Sequence, residues 1–263
     1  MVAFTFSQLS FAQKKEVRDV SAFTKLSFGV PGKLYLKQGP VQKVELEGDA
    51  EALEKIETEV SGGKLRIHSK EKWWNWNWGN SDKIVAYVTV KNIEALSVSG
   101  SGSMIGENTI SANTMDLNVS GSGNMNVEIQ ATGAMDVDVS GSGNIELKGK
   151  CQSLDSNVSG SGSIKLALTV AENAGLSLSG SGKVQASGSA RKVRIAISGS
   201  GRVMGENFET TVCDVRISGS GDVSIAVKDE LDATLSGSGS VHYRGNPGKI
   251  NSHSSGSGKV RKI

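Results

Sequence analysis

The chain has 263 residues, 33 of them glycine, and hydrophobic residues make up 37% of it. Its 29 Lys and Arg against 27 Asp and Glu leave a net charge of +2, which argues against nucleic acid as a partner. It contains no run of 18 apolar residues, so no integral membrane span is predicted. Two cysteines are too few for a disulfide scaffold, and three histidines are too few for a multi-histidine metal centre.

The first segment, residues 1–12, reads MVAFTFSQLSFA and turns polar at Gln13. Its apolar stretch ends in a small-x-small pattern at Ser10 and Ala12, which is typical of a signal peptidase site. We predict a signal peptide over residues 1–12 whose true start lies upstream, because a basic n-region is missing. Export would place the protein in the periplasm, in the outer membrane or on the cell surface. The alternative is a buried first strand.

Residues 13–96 show short apolar alternations, such as Leu34-Leu36 and Ile84-Ala86-Val88-Val90, which predict strands. Asp49–Lys55 predicts a single helical turn. A solenoid needs its open end closed, so we interpret this region as irregular first coils or as a capping β-sheet.

All four tryptophans lie close together within this region, at Trp73, Trp74, Trp76 and Trp78, and Asn75 and Asn77 alternate with them. In an extended strand Trp74, Trp76 and Trp78 share one face. Indoles with neighbouring amides suit stacking on sugar rings or a protein contact, so Trp74, Asn75, Trp76, Asn77 and Trp78 are the candidate ligand-binding residues. The alternative is a hydrophobic plug on the cap, because four exposed indoles would favour aggregation.

The tetrapeptide Ser-Gly-Ser-Gly organises residues 97–263. It occurs nine times, beginning at Ser99, Ser120, Ser140, Ser159, Ser179, Ser198, Ser218, Ser236 and Ser255. A period near 20 residues predicts a repeat architecture, and the apolar alternation of period 2 around each tetrapeptide predicts strands. We therefore predict an all-β fold, a right-handed parallel β-helix or β-roll solenoid with an irregular N-terminal β cap.

The repeat also predicts which residues point inward. Met125, Ile145, Ile164 and Val184 should form one buried column, and continuous alternation would turn both glycines of each tetrapeptide inward and its serines outward. Cys213 should lie in the column of Met115, Met135, Leu154 and Val193. The two cysteines precede the tetrapeptides that begin at Ser218 and Ser159, which are three rungs apart. At about 4.8 Å per rung this separation is too large for a disulfide, so two free thiols are predicted.

An outward column of aspartates precedes the tetrapeptides at Asp116, Asp136 and Asp155. Stacked carboxylates repel each other, so the column is either a weak candidate for a metal site or a solvated polar face. No cofactor is predicted. Asp136, Asp138 and Asp155 also allow an alternative, a polysaccharide-acting β-helix enzyme that uses outer carboxylates.

The serial Ser-Gly-Ser-Gly, the segment 72–78 (KWWNWNW) and the segment 83–90 (KIVAYVTV) resemble the auto-transporter adhesin family with a head GIN domain, over roughly residues 16–263. The resemblance implies an exported β-helical protein of Bacteroidetes-type bacteria and supplies no catalytic residues. We therefore expect a non-enzymatic structural or binding protein of the cell envelope, whose partner is a glycan or an envelope protein.

Overall fold

The computed structural model describes residues 14–70 and 84–263. Within these ranges the chain forms a β-solenoid of about 8 turns with about 20 residues per turn, which confirms the predicted fold class. The elements of its N-terminal part are β1 (Lys14–Val17), β2 (Lys25–Phe28), β3 (Gly32–Gln38), β4 (Lys43–Gly48), α1 (Ala50–Glu54), β5 (Ile56–Ser61), β6 (Lys64–Ser69) and β7 (Ile84–Val90). Helix α1 lies where the helical turn was predicted.

The repeat region continues with parallel strands only, among the residues described. These strands are β8 (Ala95–Gly100), β9 (Ser103–Gly106), β10 (Ile110–Ala112), β11 (Met115–Gly121), β12 (Asn124–Ala131), β13 (Ala134–Gly141), β14 (Asn144–Cys151), β15 (Ser153–Gly160), β16 (Ser163–Gly180), β17 (Lys183–Gly199), β18 (Arg202–Gly219), β19 (Asp222–Gly237), β20 (Ser240–Arg244), β21 (Lys249–Gly256) and β22 (Lys259–Lys262). The predicted domain boundary between residues 96 and 97 stays a prediction, and β8 runs across that position.

Each turn contributes one strand before its tetrapeptide and one after it. We call the stack of segments before the tetrapeptides sheet A and the stack after them sheet B. The long strands β16 to β19 run through sheet B of one turn and into sheet A of the next. Neighbouring turns align tetrapeptide on tetrapeptide, so that Gly121 pairs with Gly141 and Gly141 with Gly160.

The predicted inward column of sheet B is confirmed. Met125 pairs with Ile145, Ile145 with Ile164, and Ile164 with Val184, and all four side chains are at most 2% exposed. The in-register stack places like residues on like residues, so one apolar position of the repeat becomes a continuous core.

The predicted orientation of the glycines is only half correct. The second glycine of the tetrapeptide faces inward: at Gly182 a Cβ would lie 2.4 Å from Val158 Cγ1 of the preceding turn. The first glycine does not, because Gly180 lies on the exposed corner with φ +113°. The inward–outward alternation of side chains therefore breaks at the corner. Glycine occupies this position because a left-handed φ is open to glycine and strained for other residues.

The N-terminal part combines both predicted alternatives, because it contains coils and a cap. Strand β2 pairs in parallel with β8 on one side and β6 on the other, and β3 likewise lies between β9 and β7. The rung of β2 and β3 thus lies inside the rung of β6 and β7, although it comes earlier in the chain. In chain order the rung of β2 and β3 forms first, the outer rung of β6 and β7 comes next, and the repeats then begin with β8 and β9 on the other side of β2 and β3.

Antiparallel strands close the outer rung. Strand β5 pairs with β6, β4 pairs with β7, and β1 pairs with β4. Helix α1 joins β4 to β5 and buries Ala52 and Leu53. The direction of pairing changes here from parallel to antiparallel, so the repeat pattern ends at the cap.

Both cysteines are free, as predicted, and both are buried. Cys213 pairs with Val193 in the inward column of sheet A, whereas Cys151 ends β14 in sheet B beside Val170. Burial raises the pKa of the Cys151 thiol to about 11 and that of Cys213 to about 12, with a further contribution from Asp214 to the latter.

We expect the folded protein to react with a thiol reagent such as Ellman's reagent at least about a hundredfold more slowly than the unfolded one at neutral pH, because only the thiolate attacks. In guanidinium chloride without reductant, two thiols per chain should titrate. A count of zero in that unreduced, unfolded sample would contradict the free-thiol assignment.

Candidate functional site

The predicted ligand-binding residues Trp74, Asn75, Trp76, Asn77 and Trp78 lie outside the described residues. Their segment connects β6 to β7, which form the outer rung under the cap. Their assignment as a binding site stays a prediction.

The predicted aspartate column exists on the outer face of sheet A. Asp116 pairs in register with Asp136, and Asp136 pairs with Asp155. Partial burial, followed by repulsion from Asp116, Asp155 and Asp138, raises the pKa of the Asp136 carboxyl above its ordinary value. The neighbouring Asp138 is stabilised differently, because the Asn157 amide donates a 3.0 Å hydrogen bond to its Oδ1.

The raised pKa of Asp136 in the folded state predicts how the stability of the protein changes with pH. The folded state holds this proton more tightly than the unfolded state, so stability falls as the pH rises from about 4 through the native pKa. Asp136→Asn removes the repulsion, and we expect its melting temperature at pH 7 to exceed the wild type's by about 1 to 3 °C. Thermal denaturation followed from pH 3 to pH 7 measures this, and the gain should vanish toward pH 3.

The matched control is Asp222→Asn on sheet B, where the carboxylate lies 3.8 Å from Arg202. This variant should gain nothing at pH 7. An equal gain for both variants would contradict column repulsion as the cause.

The described residues contain no group of three or more His, Cys, Asp or Glu arranged to hold a metal ion. Asp116, Asp136 and Asp155 stand on successive rungs of one sheet and project in the same direction. Glycoside hydrolysis needs two carboxylates that flank the scissile bond, whereas these three occupy one repeated position of the solenoid. The column is better explained by the repeat than by an active site.

A second polar ladder lies on the outer face of sheet B and was not predicted from the sequence. The Asn144 amide donates to Asn124 Oδ1 at 2.9 Å, and the Ser163 hydroxyl donates to Asn144 Oδ1 at 2.6 Å. Beside them Lys165 pairs with Glu146 at 3.1 Å. The signal in the sequence was the residue after each tetrapeptide, which is Asn in two successive turns.

Comparison with family models identifies the chain. A model described as "Putative auto-transporter adhesin, head GIN domain" matches residues 22–185 and 166–247. The chain belongs to this adhesin family. Within the described residues of this family member, no helix is long and apolar enough to cross a membrane.

Solved structures extend the comparison. A "putative lipid binding protein" from Parabacteroides distasonis is 25% identical, with coverage of 95% of this chain and 96% of that one and a TM-score of 0.71. A "putative adhesin" from Parabacteroides merdae is 19% identical, with coverage of 96% and 95% and a TM-score of 0.69. One from Bacteroides fragilis is 20% identical, with coverage of 97% and 98% and a TM-score of 0.53. The latter two show the fold alone, and no curated protein matches the chain.

Proposed function

We propose that the protein is an exported binding protein of the cell envelope that holds a glycan or another envelope protein without catalysis. The observation that carries the proposal is the adhesin-family match over residues 22–247. The structures that share its fold are named as adhesins or as a binding protein, which supports binding over catalysis. The acids Asp116, Asp136 and Asp155 stand in one column that the repeat produces, which also favours binding over catalysis.

Export is part of the proposal and rests on the predicted signal peptide over residues 1–12. That segment lies outside the described residues. The adhesin family supports a location outside the cytoplasm, since an adhesin has to reach the surface on which it acts.

The proposed contact is the segment from Lys72 to Asp82. It contains all four tryptophans of the chain, and its alternating Trp and Asn depart from the repeat in a way that the solenoid does not require. Each buried indole contact contributes about 1 to 3 kcal/mol to binding, so three on one face can dominate the affinity.

We expect the triple variant Trp74→Ala, Trp76→Ala, Trp78→Ala to lose binding while its melting temperature changes by less than about 1 °C. The measurement is a glycan array combined with pull-down from envelope extracts, with lipid vesicles added because one relative is named for lipid binding. The control is Val41→Ala, an apolar side chain that is 70% exposed in the connection between β3 and β4.

Two outcomes would contradict this assignment. A triple variant that unfolds or loses several degrees would show that the indoles are a hydrophobic plug. A triple variant that binds as the wild type does would place the contact elsewhere on the molecule.

A further inference from the structure

The outer face of sheet A carries a depression at the point where its aspartate column is interrupted. In register, the column continues from Asp155 to Gly175 and then to Arg194. The depression there has a volume of about 380 Å³. We call it the Gly175 notch, and its outward-facing lining is Ser153, Asp155, Asn173, Gly175, Lys192 and Arg194.

The notch is open because Gly175 has no side chain. A Cβ at this position would lie 2.5 Å from Asp155 Oδ1, so the Asp155 carboxylate leans over the space that a side chain would fill. Leu154 and Ala174 also border the notch, but they are only 1% and 2% exposed. They offer little apolar side chain to a ligand, and the lining of the notch is therefore mainly polar.

The two walls of the notch carry opposite charge. Asp155 stands on one wall, and Arg194 and Lys192 stand on the other, two rungs or about 9.6 Å further along the solenoid. Within residues 14–70 and 84–263 none of these three side chains forms an ion pair or a side-chain hydrogen bond. The next acid beyond Arg194 is Asp214, and it is engaged with Arg216 at 3.3 Å.

Charges left unpaired across a gap are suited to a ligand that carries the missing partners. The guanidinium of Arg194 and the ammonium of Lys192 would bind a carboxylate, and a guanidinium does so with two parallel hydrogen bonds. The Asp155 carboxylate and the Ser153 hydroxyl would accept hydrogen bonds from hydroxyl groups. A ligand that spans the notch therefore needs an anionic end, a hydroxylated end and a width of one ring.

We propose that the Gly175 notch binds an acidic sugar residue of a polysaccharide, with the sugar carboxylate on Arg194 and Lys192 and its hydroxyls on Asp155. The lack of an exposed apolar side chain in the lining excludes a lipid chain and disfavours a peptide, whose side chains would find no apolar contact. The site lies on the open face of a continuous sheet, so the polymer can extend beyond it on either side. This proposal does not depend on the Trp segment.

The test is calorimetric titration of the full chain with tetragalacturonate, with maltotetraose as the neutral comparison and a tetrapeptide with a free carboxyl terminus as the peptide comparison. We expect the wild type to bind tetragalacturonate and neither of the others. Arg194→Glu should weaken binding at least about tenfold, because it places two like charges against each other.

Gly175→Thr tests the shape of the notch without changing its charge. The Cβ of the new side chain would first meet Asp155 Oδ1, the end of a side chain rather than backbone, and Gly175 has no left-handed φ. The variant should therefore keep the wild-type melting temperature while losing binding at least about tenfold. Lys183→Glu is the control, since it reverses an exposed charge on the outer face of sheet B, away from the notch, and it should change the affinity less than about twofold.

Absence of wild-type binding, equal binding of maltotetraose or of the tetrapeptide, or an affinity that Arg194→Glu leaves unchanged would each overturn the proposal. The triple Trp variant separates the two sites. If it keeps tetragalacturonate binding, the notch acts alone. If it loses this binding while Arg194→Glu keeps it, the ligand sits on the Trp segment and the notch assignment is wrong.

Discussion

Replacing Gly180 by alanine is expected to destabilise the protein by about 3 to 5 kcal/mol, which lowers the melting temperature by roughly 6 to 20 °C. Gly180 has φ +113°, a conformation that L side chains rarely adopt. Its Cβ would also lie 2.7 Å from the carbonyl oxygen of Gly160 on the preceding rung. Strain and overlap act at the same atom, and the backbone of a stacked rung cannot move aside without breaking its ladder. Thermal and denaturant unfolding measure the loss.

Gly248→Ala is the matched control for this prediction. No atom lies within 4 Å of a Cβ built there, and its φ is not in the left-handed region. Its stability should stay within about 0.5 kcal/mol of the wild type. Similar losses for Gly180→Ala and Gly248→Ala would contradict the corner geometry as the reason for the repeated glycine.

The second large effect is expected at Phe208, where alanine should cost about 3 to 5 kcal/mol. Phe208 is 0% exposed and is one of the largest fully buried side chains of the described residues. It pairs in register with Gly188, next to the places where the ladders of β17 and β18 and of β18 and β19 shift register. Removing the ring leaves a cavity in a region whose backbone is already irregular.

Phe208→Leu keeps most of the buried volume and should lose about a third as much stability as Phe208→Ala in the same unfolding experiment. Equal losses for the two variants would show that the ring itself, rather than the filled volume, is required. A loss below about 1 kcal/mol for Phe208→Ala would show that the surrounding strands collapse into the space.

The aspartate column and the Gly175 notch lie on the same face of sheet A, but only the column could be predicted from the sequence. The column of Asp116, Asp136 and Asp155 was predictable, because a fixed period places equivalent residues in register. The Gly175 notch was not, because it arises from the absence of a side chain in that column and the reversal of charge at Arg194. Its geometry exists only when three successive rungs are stacked.

The sequence alone determined the solenoid, its period, the buried column from Met125 to Val184, the free thiols and helix α1. The first four follow from local alternation or from the repeat distance, and parallel in-register stacking converts such local patterns directly into contacts. The same logic failed at the tetrapeptide corner, where Gly180 leaves the alternation by adopting a left-handed φ.

Only the tertiary structure decided the order of the first rungs and the packing around Phe208. Strand β2 lies between β6 and β8 because the rung of β6 and β7 is inserted outside it, and no period links these strands in the sequence. The ladder shifts beside Phe208 likewise follow no period of the sequence. The pairing of a non-repeating strand depends on burial and on loop closure between residues that are distant in the chain, and a local sequence pattern predicts neither of these.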